Sequence, residues 1–468
     1  MPHQGPPLPT PSATNHQDLA LALGWLLADA DFSSIRLRAS CAWGASGLAR
    51  LALLWAWSDE ATLVDRFHAA RRVARLVVGP RAEPAATYQA FLKLLRARTA
   101  ALAALLILAL RRRMRAALAD RFEVAGFVAF AVDGSRLQLP RTASNQARFT
   151  APGRGPKARS RRRAASGQDQ ASRRKKAEGP RMWLTTMWHV GTGLPWGWRT
   201  GPDDSSERDH LRRMVAELPP GALVTADAGF AGYETWAALI GSGRHLLVRV
   251  GSNVRLLRGL GYARRGDDLV HLWPIARASR GEPPLVLRLV AVRAARHPVF
   301  LVTSVLDPAR LSDDQVVELY RRRWGVELFY RHLKQSFGRR ELRSHRGENA
   351  EVEATWSLLG LWALSLHGQS ELACDAVPAS RVSVAGLLRA YRGAMREYRV
   401  APGPGRSLRD LLAAATVDVY RRRSKASRDY PRKKQEKPIG PPRIRPATPQ
   451  EVEQAERIKV AHESRLTA

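Results

Sequence analysis

Four residues that could bind a metal ion and phosphate groups recur at helical spacing in one stretch of the sequence. The four are Tyr320, Arg323, Glu327 and Lys334. Successive helical residues are about 100° apart, so the spacing places all four on one narrow face. A carboxylate there could hold a divalent metal while fixed cations hold phosphates, which is the chemistry of a phosphodiester site. The alternative is a solvated helix with one Arg-Glu pair.

The residues around these four predict a single helix over 313–338. Ser312 is a suitable N-cap, Asp313 and Asp314 supply acids in the first turn, and Gly338 is a suitable end. The site hypothesis then depends on further carboxylates elsewhere in the chain.

Two acids upstream each follow an apolar run. Residues 127–132 precede Asp133, residues 222–226 precede Asp227, and a small residue follows each acid. Each run predicts a buried strand that ends at its Asp, where the small neighbour would let a metal and a phosphate approach the backbone. A turn-capping Asp is the alternative for each position. Two strand-end acids and Glu327 on a later helix favour one shared metal site.

Other candidate ligands are less suitable. The pair Asp203-Asp204 follows a proline and favours helix capping, and Asp267-Asp268 favours a hairpin turn. The histidines form no close pair typical of a zinc enzyme. Carboxylate oxygens suit Mg²⁺ or Mn²⁺, and two such ions about 3.5–4 Å apart can clamp both oxygens of a phosphoryl displacement.

The spacing Tyr-x2-Arg-x3-Glu-x6-Lys, with Asp133-Gly-Ser and Ala-Asp227-Ala-Gly-Phe, resembles bacterial DDE transposases of the insertion-sequence-4 type. The resemblance covers roughly residues 125–395. It implies an α/β ribonuclease H-like catalytic core that a β-rich insertion interrupts between the second Asp and the Glu. It also implies cut-and-paste DNA transposition, in some members through a DNA hairpin.

The resemblance also implies roles for individual residues. The catalytic, metal-binding acids would be Asp133, Asp227 and Glu327. The DNA-binding residues would be Tyr320, Arg323, Lys334 and Phe300. Phe300 is included because hairpin-forming members stack a flipped base on an aromatic in the insertion, and it is the aromatic at hand there.

The charge of the chain points to DNA as the partner. The 468 residues carry a net charge of +34, and the sequence pI is about 11.4. Two basic runs, 148–178 and 421–445, hold about half of that excess, and neither has a composition that could form a core. We expect both to be flexible and to bind DNA without sequence preference. Ribosomal and histone-like proteins share the charge but rarely combine this length with 13 Trp.

Changes in composition and hydrophobic pattern along the chain predict the domain organisation. Residues 1–17 should be disordered, and 18–120 should form a helical domain that binds the DNA end, with helices at 19–30, 40–57, 59–78 and 84–120. The predicted catalytic domain comprises 121–250 and 306–398, with a disordered basic loop at 148–178. The β-rich insertion is 251–305, and 399–468 is a basic C-terminal tail.

Several features favour a cytoplasmic, nucleoid-associated protein. Two distant cysteines offer neither a disulfide framework nor zinc-finger spacing. The N-terminus lacks the pattern of a signal peptide. The longest apolar run, 100–110, is too short to cross a membrane, so we expect no membrane partner.

These observations favour a transposase that cleaves and joins DNA at the ends of an insertion sequence as a homodimer in a synaptic complex. The alternative is a catalytically inactive DNA-binding relic or regulator of the same fold. A stand-alone ribonuclease H-like nuclease would need neither the basic arms nor the N-terminal helical domain.

Overall fold

The computed structural model describes most of the chain. The described residues are 15–37, 44–78, 87–150, 179–251, 261–263, 268–292, 298–374, 376–377, 379–397, 407–416, 440–442, 444–446 and 448–467.

Four helices open the described chain, close to the predicted positions. They are α1 (Asn15–Leu27), α2 (Gly44–Trp57), α3 (Leu63–Val78) and α4 (Tyr88–Ala117). The Ala/Leu/Trp-rich α2 is apolar on nearly every side, and most of its residues are buried. Thr87 caps α4 by accepting a hydrogen bond from the Ala90 amide at 3.2 Å. The helical character predicted for this region is confirmed.

The next segment alternates strands and helices. It comprises β1 (Ala129–Gln138), α5 (Ala143–Phe149), β2 (Arg181–His189), β3 (Leu194–Gly201), α6 (Glu207–Met214), β4 (Leu223–Ala226), α7 (Tyr233–Gly241) and β5 (His245–Val250). Strands β1, β4 and β5 are parallel neighbours, whereas β2 and β3 add antiparallel strands beyond β1. The predicted β2–β3 hairpin is confirmed.

The insertion continues this sheet. It contributes β6 (Gly261–Ala263), β7 (Leu269–Leu272), the short helix α8 (Ile275–Ala278), β8 (Leu285–Val292) and β9 (Val299–Thr303). Strand β9 returns antiparallel to β5 and pairs with β8 on its other side. The insertion therefore covers the edge of β5 that would otherwise be unpaired.

The C-terminal part is mainly helical. It comprises α9 (Asp313–Arg322), α10 (Gly325–Arg331), a π-helical segment (His332–Ser336), α11 (Gly347–Cys374), α12 (Val384–Glu397), α13 (Leu408–Ala413), β10 (Arg445–Pro446) and α14 (Pro449–Thr467). Strand β10 pairs with β6 and completes a ten-stranded sheet in the order β10-β6-β7-β8-β9-β5-β4-β1-β2-β3.

Helix α11 joins the N-terminal helices to the sheet. Its residues and those of α2 belong to one hydrophobic cluster, together with residues of β1 and β2. Trp57 of α2 donates its indole N–H to the Gly360 carbonyl of α11 at 2.8 Å. A Cβ at Gly360 would lie 3.1 Å from the Ala56 side chain, so the small residue allows this close helix contact. The sheet is therefore held against a helical support.

Three predictions of disorder are wrong in part. Residues 15–17 already belong to α1. Arg148 belongs to α5 and donates two hydrogen bonds to Glu351, at 2.8 and 2.7 Å, because α11 offers it a carboxylate. The basic run 421–445 ends at Arg445 in β10, because that strand pairs with β6. The rest of the two basic runs, at 151–178, 421–439 and Arg443, lies outside the described residues.

In the part of the chain that the structure describes, no helix combines the length and the apolar character needed to cross a membrane.

Candidate active site

Asp133 lies within β1, so the prediction that the strand ends there is wrong. Strand β1 pairs with β4 only over 129–131, but its pairing with β2 runs through Gln138. The antiparallel partner therefore extends the strand past the acid. Asp133 still lies just beyond the parallel part of the sheet.

Asp227 occupies the predicted position at the end of its strand. It follows β4 directly and caps the short 3-10 turn Ala228–Phe230. One carboxylate oxygen, Oδ1, accepts a hydrogen bond from the Gly229 amide at 2.8 Å. The turn that the sequence predicts after this acid thus also orients its side chain.

The strand register brings the two aspartates to the same edge of the sheet. The last paired residues of the parallel β1/β4 ladder are Ala131 and Thr225. Asp133 and Asp227 each lie two residues further along their strands. Because side chains two residues apart in a strand share a face, both acids occupy corresponding positions at this edge.

The predicted single helix over 313–338 is interrupted, so that prediction is wrong, although both of its ends are as predicted. Ser312 forms a capping box with Gln315, and Gly338 has φ of +72°. Helix α9 ends at Arg322, α10 begins at Gly325, and the π-helical segment follows. The regular 100° spacing therefore does not hold across the whole segment.

Close packing on β2 accompanies the interruption. A Cβ at Gly325 would lie 2.7 Å from Nε1 of Trp188, so only glycine allows α10 to approach the strand this closely. Glycine also has a low helix propensity, which favours a break at this position. The second half of the segment thereby lies directly against the sheet.

Arg323 and Glu327 form an ion pair beside the aspartates. Nη2 of the buried Arg323 donates to Oε1 of Glu327 at 3.0 Å. The same guanidinium lies 5.5 Å from the centre of the Tyr320 ring. Arg323 therefore positions the carboxylate of Glu327.

Tyr330, which the sequence did not single out, clamps α10 to the sheet. Its hydroxyl donates to the Asp133 carbonyl at 2.7 Å and accepts from the Thr186 amide at 3.0 Å. Glu327 lies three residues before Tyr330, on the same side of the helix. The hydrogen bonds of Tyr330 therefore fix the position of α10, and with it Glu327, relative to Asp133. In the sequence, only the position of Tyr330 close to Glu327 could have suggested that Tyr330 holds the helix against the sheet.

The electrostatics of Asp133 place the three acids in one charge environment. Burial, together with the neighbouring charges of Asp227 and Glu327, raises the pKa of the Asp133 carboxyl to about 6, against the opposing effects of the Gly134 amide and Arg323. Concentrated negative charge of this kind is relieved by a bound cation.

Lys334 of the π-helical segment contacts β1 just beyond Asp133. Its Nζ donates to Oγ of Ser135 at 2.7 Å. Burial and then nearby Arg340 lower the pKa of the Lys334 ammonium. The residue is thus anchored two positions after Asp133.

A basic cleft of about 1120 Å³ opens beside Lys334. It lies between the start of α3, the end of β1 and the segment that follows α10. The lining includes the basic residues Lys334, Arg340, Arg343, His345 and Arg346. Such a lining attracts a polyanion and places it next to the acids.

The remaining sequence candidates lie elsewhere. Asp203 is buried and forms ion pairs with Arg136 at 2.7 Å and Arg181 at 2.9 Å. These ion pairs give Asp203 a structural role, in which it holds its loop against β1 and β2. Phe300 lies in β9 opposite Val250 and packs against the second hydrophobic cluster. Asp267 lies outside the described residues.

Among the described residues, no group of three or more His, Cys, Asp or Glu side chains is arranged to hold a metal ion as the structure stands. Asp227 and Glu327 each commit an oxygen to a protein donor, the Gly229 amide and Arg323 respectively. The donor chemistry itself fits Mg²⁺ or Mn²⁺, because it consists of carboxylates whose negative charges raise the pKa of Asp133.

Tyr330→Phe should loosen this site. The change removes the hydroxyl and leaves the Thr186 amide and the Asp133 carbonyl without that partner, at a cost of about 1–3 kcal/mol in the free energy of unfolding. Chemical denaturation measures the cost.

Tyr391→Phe is the matched control, since Tyr391 is also buried and its hydroxyl has no hydrogen-bond partner among the described residues. We expect the control to unfold like the wild type or slightly later. Equal stability of the Tyr330 variant and this control would contradict the clamp.

Comparison with known protein families decides the identity of this region. The family described as "Transposase DDE domain" matches residues 125–363, which is about half of the chain and includes all three acids. The chain belongs to this transposase family. The predicted resemblance to DDE transposases is confirmed.

A curated relative agrees with this assignment. The chain is 30% identical over 170 residues to the transposase InsG for insertion sequence element IS4 of Escherichia coli strain K12. That alignment covers 34% of this chain and 37% of the relative, so it spans little more than a third of the relative's length.

A solved structure shows a weak overall likeness. A chain of the piggyBac transposase synaptic complex with hairpin DNA aligns over 90% of both chains, with 14% identity and a TM-score of 0.40.

Proposed function

We propose that this chain cleaves and joins DNA at the ends of an insertion sequence by metal-dependent cut-and-paste transposition. The observation that carries the proposal is the strand register that brings Asp133 to the same sheet edge as Asp227, with Glu327 in the same charge environment. The membership of residues 125–363 in the transposase DDE family supports it.

The arrangement of the sheet supports a ribonuclease H-like core. Two acids lie just beyond the parallel pairing of β1 with β4, and the third lies on a later helix that packs on the same sheet. The insertion of β6 to β9 falls between the second and third acids, as the resemblance implies.

Asp133, Asp227 and Glu327 would hold Mg²⁺ or Mn²⁺, as two ions. When bound, the ions would supply charge stabilisation to the attacking and leaving oxygens of the phosphodiester. The chain's own part is to place three carboxylates together through the strand register and the Tyr330 clamp. Arg323 holds Glu327 in this structure and would exchange that partner for a phosphate when DNA arrives.

The DNA would lie along the basic cleft. Lys334 belongs to both the site and the cleft lining, so it is suited to a phosphate next to the scissile bond. Arg323 and Tyr320 would contact the same strand end. Phe300 would contact a DNA base only if the DNA reaches β9. The Phe300 side chain is partly buried there.

The partners follow from the same proposal. The net charge of +34 supports DNA binding beyond the site itself and association with the nucleoid. Element ends must be brought together for cut-and-paste chemistry, so we propose a homodimer in the synaptic complex.

The direct test is incubation of the full chain with its own flanking DNA and Mg²⁺. We expect strand-specific cleavage at the element ends, and none with Asp227→Asn. Binding of the ends without cleavage under any divalent metal would instead favour the catalytically inactive relic or regulator.

A further inference from the structure

The basic cleft beside Lys334 is lined by two unlike parts of the chain. The starts of α3 and α4 contribute apolar and aromatic side chains, namely Leu63, Val64, Tyr88 and Leu92. The segment 340–346 contributes three arginines and a histidine. A ligand in this cleft therefore meets an apolar surface and a row of cations at once.

The hydrophobic core supports the apolar part of the lining from behind. The rings of Tyr88 and Phe67 lie 6.0 Å apart, measured between their centres. Tyr88 and Leu92 are one turn apart on α4, and both pack against the main hydrophobic cluster while remaining partly exposed. Val64 is 40% exposed, so its side chain is open to a ligand. Such a surface suits the stacking of nucleobases, because every base has a flat face whatever the sequence.

The three arginines of segment 340–346 are available to bind anions. Arg340, Arg343 and Arg346 are exposed, and among the described residues their guanidinium groups have neither a hydrogen bond nor an ion pair. The one acid among the described lining residues is Glu341, so positive charge dominates this side of the cleft. Repeated cations of this kind suit the regularly spaced phosphates of a nucleic acid.

A buried carboxylate holds the segment in place before any ligand binds. Glu353 of α11 is 1% exposed and accepts hydrogen bonds from the Arg343 amide at 3.0 Å and the Ser344 amide at 2.9 Å. The Ser344 hydroxyl donates to the same carboxylate at 2.8 Å, and Asn145 of α5 donates to the Ser344 carbonyl at 3.0 Å. The backbone is thus fixed from both α5 and α11. A site whose shape already exists loses less entropy when its ligand binds.

The shape of the cleft favours one strand of DNA over a duplex. Its volume of about 1120 Å³ equals that of a cube about 10 Å on each edge, whereas the major groove of B-DNA alone is about 12 Å wide. The bases of a duplex are paired and stacked in its interior, so they could not reach the apolar side chains. The bases of a single strand could reach them while the phosphates lie on the arginines.

We propose that this cleft binds a short single strand of DNA, with its phosphates on the three arginines and its bases on the apolar surface around Tyr88. The inference rests on the proposed function, because it names the form of DNA that the cleft accepts. Lys334 both lines the cleft and contacts β1 beside Asp133. The bound strand is therefore the one whose phosphodiester lies at the acids, unpaired near the cleaved end.

Binding of the full chain to a short single-stranded oligonucleotide, and to the duplex of the same sequence, tests the inference by fluorescence anisotropy without metal. Tyr88→Ala should weaken single-strand binding by about 5- to 150-fold, the loss of one base stacked on an aromatic ring, and leave duplex binding unchanged. Tyr88→Phe keeps the ring and should bind both forms like the wild type. Tyr233→Ala is the matched control, because Tyr233 is also partly buried but lies outside the cleft lining, and it should change neither affinity.

Arg343→Ala tests the phosphate contacts in the same assay. For the single strand, the slope of log affinity against log salt concentration should become shallower by about 0.7, the contribution of one phosphate contact. Arg280→Ala removes an exposed arginine of the insertion and should leave the slope unchanged. Equal slopes for the Arg343 variant and this control would contradict a phosphate contact at Arg343.

Equal weakening of single-strand and duplex binding by Tyr88→Ala would overturn the inference, and so would unchanged single-strand binding. In either case, cleavage of the element ends by the wild type would leave the proposed function standing. If the wild type binds neither form of DNA, both proposals are overturned. Val64→Asn replaces Tyr88→Ala if melting shows that variant to be unfolded, because the exposed Val64 tolerates the change, and the same outcomes then apply.

Discussion

Glu327→Gln is expected to abolish DNA cleavage while binding of the element end survives or tightens. The amide keeps the shape of the side chain but removes a negative charge from the metal centre, so the metal would lose a ligand. It also removes a negative charge beside the phosphates, which favours binding. The measurement is gel shift and cleavage on the same end duplex, with Mg²⁺ and with Ca²⁺.

Glu318→Gln is the matched control for this experiment. Glu318 lies on α9 in the same segment, is exposed, and pairs with Arg322 one turn away. We expect it to cleave like the wild type. Cleavage by the Glu327 variant at the wild-type rate would show that Glu327 is not a metal ligand. An inactive relic would show no difference among wild type, variant and control.

The second large effect is expected at the cations of the signature. Lys334→Ala and Arg323→Ala should each weaken binding of the cleaved end by about 1–3 kcal/mol, since each loses a charge-assisted phosphate contact. Lys334→Ala should also make the slope of log affinity against log salt concentration shallower by about 1, the contribution of one phosphate contact. The structure adds that Arg323→Ala frees Glu327 from its partner, so this variant should lose cleavage as well.

Arg280→Ala is the control for loss of one positive charge, because Arg280 is exposed in the insertion, outside the site. It should leave end affinity unchanged. If the Lys334 and Arg323 variants bind the end normally and fail only in cleavage, the division between metal-holding acid and phosphate-holding cations is wrong.

Local sequence patterns predicted much of the site. The apolar run before Asp227 and the small residues after it predicted a strand and a turn, and the structure has both. The capping box at Ser312 and the left-handed Gly338 likewise depend on neighbouring residues alone. Such features are determined within a few positions of the chain, so one sequence suffices to find them.

The errors and omissions involve contacts between distant segments. Strand β1 runs past Asp133 because β2 pairs with it, and the signature segment breaks where Gly325 meets Trp188. Tyr330 joins the candidate site through tertiary packing. The spacing of residues in the sequence carries no signal for contacts of this kind.

The insertion illustrates the same limit. Its strands were expected as a β-rich unit, but no local pattern could show that β9 would pair with β5. Pairing between strands some fifty residues apart depends on which sheet edge is free. The insertion therefore extends the sheet that carries Asp133 and Asp227.

The most direct test of the three-acid centre is anomalous scattering from Mn²⁺ in crystals of the full chain bound to a cleaved element end. The account predicts one or two Mn²⁺ peaks among Asp133, Asp227 and Glu327, with carboxylate oxygens at about 2.1 Å. Peaks elsewhere, or any of the three carboxylates more than about 10 Å from the other two, would contradict a shared metal centre, because two ions could not bridge that distance.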